Sequence, residues 1–206
     1  MNKSLIIIVA IAALAIGVFL GARQSGPDLS ELSGFSFPEP KVLRDVDLLD
    51  HNNETFTESN FKEKWTFIYV GFTFCPDVCP MTLTTLNQMY SQLSEADLSN
   101  DVSTLLVSVD PERDTTERLK DYVKYFNESF TGVTGTPEEL RKFAEQVSVV
   151  YSIPKDRSDA NYLVDHSSTV ILINPDGAVQ AIFSPPQTAD ALAKDFRLLV
   201  AHYNSF

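Results

Sequence analysis

Cysteine is scarce in this chain: 206 residues contain two, Cys75 and Cys79, with three residues between them. So few cannot staple a small disulfide scaffold. Nor can they alone supply the four protein ligands that an iron–sulfur cluster or a structural zinc site normally needs. Histidine is limited to His51, His166 and His202, so a metal site has few imidazoles to draw on. Basic residues are outnumbered 16 to 28 by acidic ones, for a formal net charge of −12. A surface this acidic repels phosphate backbones and argues against nucleic acid as a partner. Internal repeats and low-complexity tracts are also missing. Hydrophobic residues nevertheless make up 44% of the chain, enough for the full core of one ordinary domain plus an appendage.

One long apolar run is present. Residues 5–22 carry no charge, with Lys3 before them and Arg23 after. Eighteen helical residues span ~27 Å, close to the thickness of a bilayer core. A cleaved signal peptide is the competing reading. Its apolar region is shorter and ends at a small-x-small site, whereas Ala13 and Ala15 sit inside the run and Leu20 and Ala22 match poorly. We therefore expect an uncleaved inner-membrane anchor over residues 1–22, with the domain on the periplasmic or an equivalent non-cytoplasmic side. Residues 23–40 are rich in Gly and Pro and read as a flexible tether with a reach of roughly 60 Å.

From residue 41 to 206 strand and helix signals interleave. Residues 65–71 (Trp-Thr-Phe-Ile-Tyr-Val-Gly) form a short aromatic and β-branched run that predicts a buried strand. A helix follows, with Leu83, Leu86, Tyr90 and Leu93 on one face, and then a second buried strand over 102–109. Asp114 is the expected cap of the next helix, whose apolar face is Leu119, Tyr122, Val123 and Phe126. Thr136 and Pro137 open a further helix. Residues 168–173 and 178–183 flank the turn Pro175-Asp176-Gly177 as a hairpin, and a last helix starts at Thr188. Residues 45–61 add an N-terminal strand or hairpin. This order predicts an α/β fold, a thioredoxin-like three-layer α/β/α sandwich behind an N-terminal transmembrane anchor.

The two cysteines join the first strand to its helix, each followed by proline in Cys75-Pro76-Asp77-Val78-Cys79-Pro80. With Pro80 at the first helical position, Cys79 would be the cap, where a helix N-terminus favours a thiolate. Spacing alone leaves three readings: an inert disulfide or buried thiols, a redox-active pair, or a soft-metal site. Redox motifs usually have two intervening residues rather than three. Among soft metals, copper is content with the fewest protein ligands. A third ligand would be a histidine. His51 lies in the polar turn Asp50-His51-Asn52-Asn53 and His202 near the chain end, both expected at the surface. His166 precedes the strand over 168–173. In the predicted fold that strand runs antiparallel to 65–71 and so begins at the end of the sheet that carries the cysteines. Asp110 and Asp165 are candidate residues around the site.

Four segments resemble the Sco/SenC family of cytochrome oxidase assembly proteins: Gly71-Phe72-Thr73-Phe74-Cys75-Pro76-Asp77-Val78-Cys79-Pro80, Ser108-Val109-Asp110-Pro111-Glu112-Arg113-Asp114-Thr115, Val164-Asp165-His166-Ser167 and Asn174-Pro175-Asp176-Gly177. The resemblance implies copper, as Cu(I) and also as Cu(II) completed by a water, on Cys75, Cys79 and His166. It implies delivery of that copper to the CuA centre of cytochrome c oxidase subunit II, or reduction of the CuA cysteines by a redox-active Cys75 and Cys79. Other copper chaperones or thiol reductases are implied as further partners. Many members have histidine just before the first cysteine; here it is Phe74. The cis-proline of general disulfide reductases has no counterpart beside His166, and neither cysteine has the threonine and proline that precede a peroxiredoxin cysteine.

Overall fold

A computed structural model describes residues 9–14, 17, 27–96 and 98–205. Residues 9–14 are helical, but most of the expected anchor lies outside the described residues. Among the described residues no helix is long and apolar enough to cross a membrane. The chain divides into two compact units. The larger runs from Ser33 to Ala193; the smaller combines residues up to Leu32 with those from Lys194 onward. In the smaller unit, the Asp28 carboxylate accepts from the Ser30 N–H at 2.8 Å and caps the short 3-10 turn Leu29–Glu31.

The strands are β1 (Phe35–Val42), β2 (Leu48–Asp50), β3 (Thr55–Phe56), β4 (Trp65–Gly71), β5 (Val102–Ser108), β6 (Thr131–Thr134), β7 (Tyr151–Ser152), β8 (Asp165–His166), β9 (Val170–Ile173) and β10 (Ala178–Phe183). The helices are α1 (Val78–Ser94), α2 (Thr116–Phe126), α3 (Pro137–Gln146) and α4 (Ala189–Tyr203). Eight strands form one sheet in the order β1-β10-β9-β4-β5-β6-β2-β3, and β7 pairs with β8 separately. All seven residues of β4 are buried, as its unbroken apolar run requires of a strand with neighbours on both sides. β4 and β5 are parallel with α1 between them, while β9 runs antiparallel to β4 from Thr66↔Ile173 to Tyr69↔Val170. This is the thioredoxin-like α/β arrangement, and it places the start of β9 beside the end of β4.

Local chemistry sets the element ends. Thr136 accepts from the Glu139 N–H at 3.2 Å and Pro137 opens α3, as its sequence predicts. Asn174 accepts from the N–H groups of Asp176 and Ala178, and Gly177 takes a φ of 77°, closing the β9–β10 turn.

Several expectations are corrected. The tether stops short of residue 40, because Phe35–Val42 is an edge strand against β10. Its register slips between Ser36 and Lys41, where Pro38 and Pro40 lack the N–H for a regular ladder. α1 begins at Val78, so Cys79 is not its cap. The Met81 N–H bonds to the Asp77 carbonyl, and Pro80 sits among first-turn positions whose N–H groups have no intrahelical partner anyway. α2 is capped by Thr115, which accepts from the Arg118 N–H at 3.2 Å; Asp114 has another task. β6 is a strand that its sequence, with Gly132 and a single apolar residue, does not announce.

That glycine is a packing requirement. A Cβ on Gly132 would lie 2.9 Å from the Leu119 Cβ and 3.3 Å from the Leu119 carbonyl oxygen, forcing α2 off the sheet. Gly132→Ala gains at most about 1 kcal/mol from lost unfolded-state freedom. The overpacking costs about 1–3 kcal/mol, so the expected net outcome is destabilisation, read as a lower urea midpoint at unchanged slope.

Candidate metal centre

The cysteine loop leaves β4 at Gly71 and turns through a Cys75 N–H bond to the Phe72 carbonyl. Both cysteines are free and buried, Cys75 at 8% exposure and Cys79 at 0%. The Cys79 N–H donates to Cys75 Sγ at 3.4 Å, one of the first-turn donors of α1 turned onto sulfur. A Cβ on Gly71 would lie 2.9 Å from Cys79 Sγ, so the missing side chain leaves room for that sulfur. The Tyr69 hydroxyl, from the same face of β4, lies 3.9 Å from Cys79 Sγ.

Asp114 fixes the loop. It is fully buried, and its carboxylate accepts from the Thr73 N–H (2.8 Å), the Thr73 hydroxyl (2.6 Å) and the Ser108 hydroxyl (2.6 Å). Burial pushes its pKa up, and these hydrogen bonds pull the other way. Arg118 adds a bond from Nε to the Thr73 hydroxyl at 2.6 Å and lies 3.9 Å over the Phe74 ring.

His166 arrives from the far end of the sequence on β8. Its Nε2 is 3.5 Å from Cys79 Sγ, and Nδ1 is 3.3 Å from the Ser167 carbonyl. A carbonyl can only accept, so that contact calls for the proton on Nδ1 and leaves the Nε2 lone pair facing the sulfurs. Tyr69 and Phe72 hold the ring edge-on, with centroids at 5.8 and 5.9 Å. The two Sγ atoms and the His166 nitrogen lie within 4.8 Å of one another.

Burial dominates the protonation states. It pushes the Cys79 thiol well above its ordinary range, assisted by Cys75 nearby, although a hydrogen bond from the Phe72 backbone opposes it. Burial thus works against the thiolate expected at a helix N-terminus. Burial also lowers the His166 pKa, keeping the imidazole neutral. The donor set therefore fits a soft, thiophilic cation that brings its own positive charge.

The structure brings together Cys75, Cys79 and His166 and leaves the other sequence candidates elsewhere. Asp110 is turned to Arg113 and Tyr162, at 2.6 and 2.7 Å. Asp165 is exposed on β8. His51 is buried rather than solvated, with Nδ1 accepting from the Gly132 N–H at 2.9 Å and burial lowering its pKa. His202 is half-buried, with Nδ1 3.3 Å from the Pro27 carbonyl. Tyr69, Gly71 and Asp114 were missed as site residues. Only Gly71, standing directly between strand and loop, carried a local signal.

A model of the SCO1/SenC family matches residues 38–201. A putative copper-binding protein of Stutzerimonas stutzeri is 29% identical over 194 residues, covering 94% of this chain and 92% of that one. The human mitochondrial protein SCO1 homolog is 37% identical over 177 residues, 85% of this chain but only 58% of the longer human protein. The crystal structure of Arabidopsis thaliana ScoI with copper bound superposes with a TM-score of 0.66 at 34% identity, covering 77% of this chain and 97% of that one.

The two lowered histidines set a pH dependence. A folded pKa depressed below 6.5 gives stability that is complete above that value and is lost as pH falls through the folded pKa. The expected outcome is an NMR titration midpoint below 6.5 for His166, and unfolding free energy that declines on acidification. His166→Gln removes part of that decline and leaves the part due to His51.

Proposed function

This chain belongs to the SCO1/SenC family, and we propose that it is a copper metallochaperone, loading one copper ion on Cys75, Cys79 and His166 and passing it to the CuA centre of cytochrome c oxidase subunit II. The observation that carries this reading is the approach of two sulfurs and one imidazole nitrogen within 4.8 Å. Copper is cargo here, so the site must release it as well as hold it. Two thiolates and one imidazole suit Cu(I), while Cu(II), which prefers a tetragonal set, would need a water as a further donor. On loading, the thiol protons of Cys75 and Cys79 leave for solvent and the metal takes their place. Cys79 is shut off from solvent, whereas Cys75 reaches the surface slightly and His166 is half-buried. A target ligand therefore displaces His166 or Cys75 first and Cys79 last. The apolar run over 5–22 supports an N-terminal anchor that keeps the domain beside a membrane-bound partner on the non-cytoplasmic side.

The test is Cu(I) titration of the reduced protein against a competing chelator. One ion per chain is expected, with affinity rising up to about tenfold per pH unit for each proton displaced. His166→Ala should weaken binding at least about tenfold, and Cys79→Ser should nearly abolish it. A His166→Ala protein that holds copper as tightly as the parent would overturn the assignment of the third ligand.

A second reading draws on the two free thiols in contact range of one another. As a thiol–disulfide oxidoreductase, the pair would give two electrons and two protons to a disulfide of the CuA site and close a Cys75–Cys79 disulfide. Cys75, the more accessible sulfur, would attack first. On this reading Cys79→Ser traps a mixed disulfide through Cys75 and His166→Ala changes little; the chaperone reading expects the reverse.

A further inference from the structure

His166 rests on a slender support. β8 is two residues long and pairs with the two residues of β7, Tyr151↔His166 and Ser152↔Asp165, continued for one residue by hydrogen bonds between Ser167 and Val150. A ladder this short cannot hold a side chain in register without help. In the arm leading to it, residues 153–164, Val164 is buried, and the polar ties gather at one place. Among the described residues, the side-chain hydrogen bonds and ion pairs between that arm and the rest of the domain end on the turn from Asp110 to Arg113. The Arg157–Glu112 pair is solvent-exposed and contributes little.

Arg113 does most of the tying. Its side chain is 12% exposed, and Nε donates to Asp110 Oδ2 at 2.6 Å. Its two terminal nitrogens fork onto the arm, donating to the carbonyls of Ala160 and Tyr162 at 2.9 Å each. The guanidinium lies 3.4 Å over the Tyr162 ring from the arm, and 4.6 and 5.7 Å over Phe74 and Phe72 from the cysteine loop. The Tyr162 hydroxyl closes the ring of contacts by donating to Asp110. Phe72 is one of the two aromatic rings set edge-on against His166.

We propose that Arg113 is a positioning residue for the metal centre: it clamps the His166 arm onto the cysteine loop and so sets how firmly the imidazole faces the two sulfurs. The proposal rests on the reading of Cys75, Cys79 and His166 as ligands. Its chemistry is specific to arginine. Only a planar fork can serve two carbonyls and a carboxylate while stacking on rings, and lysine, a single point charge, cannot.

The test uses the full-length chain. Hydrogen–deuterium exchange of the metal-free protein is compared for the parent, Arg113→Gln and Arg113→Lys. Both variants should speed exchange of amides 160–166 about tenfold or more while β4 and β9 stay protected. Cu(I) titration should show about a 10- to 100-fold loss of affinity in Arg113→Gln, with no rescue by lysine. A double-mutant cycle adds the readout that a general loss of stability would not give. Arg113→Gln combined with His166→Ala should bind Cu(I) no more weakly than His166→Ala alone, because the clamp acts through the imidazole. Unchanged exchange in the arm, or fully additive losses in the cycle, overturns the proposal. If Arg113→Gln loses protection in β4 as well, Tyr162→Phe, which deletes only the bond to Asp110, decides by the same two measures. A parent chain that takes up no Cu(I) defeats the copper reading, while the exchange comparison still decides whether Arg113 holds the arm.

Discussion

Desolvation governs this molecule's chemistry. Two sulfurs and an imidazole meet where β4, α1 and the approach to β9 exclude water, against Tyr69 and Phe72. In such a place a thiolate without a counter-charge is expensive, so burial favours the protonated Cys79 and the uncharged His166. The same exclusion of water strengthens the attraction of a cation once the thiol proton has gone. Uptake of a cation by these sulfurs would thus be coupled to loss of protons.

The short segment after β5 organises both halves of the pocket. Asp114 accepts from Thr73 and fixes the cysteine loop; Asp110 and Arg113 bind Tyr162 and Ala160 of the histidine arm. One turn, anchored on a strand that pairs with β4 along its whole length, therefore references two chain segments that lie about ninety residues apart. The pairing of β9 with β4 brings both segments to one end of the sheet, and the shared turn fixes each of them there.

Much of this was legible beforehand. The apolar run of β4, the helical spacing of Leu119, Val123 and Phe126, and the Asn174–Gly177 turn each state their local structure in residue types with strong preferences. The approach of His166 to the cysteines followed from strand order alone, since β9 runs antiparallel to β4. What stayed hidden depends on long-range contact. β6 is a strand because β5 and β2 flank it, while its glycine and threonines speak weakly for one. His51 looked solvated because its neighbours are polar, yet it packs under Gly132 across the sheet. The burial that works against a thiolate at Cys79 stayed hidden for a related reason: a helix start can be read from sequence, whereas its sealing from water cannot.

The proline-bearing edge has a bearing on how the domain survives in company. One rim of the eight-stranded sheet is β1, with Pro38 and Pro40 interrupting its row of donors; the other is β3, two residues long. Neither rim offers a foreign extended chain a continuous template for strand addition, the usual opening step of edge-to-edge aggregation. A protein crowded among others can in this way leave its cysteine and histidine pocket free while its backbone stays unattractive to its neighbours.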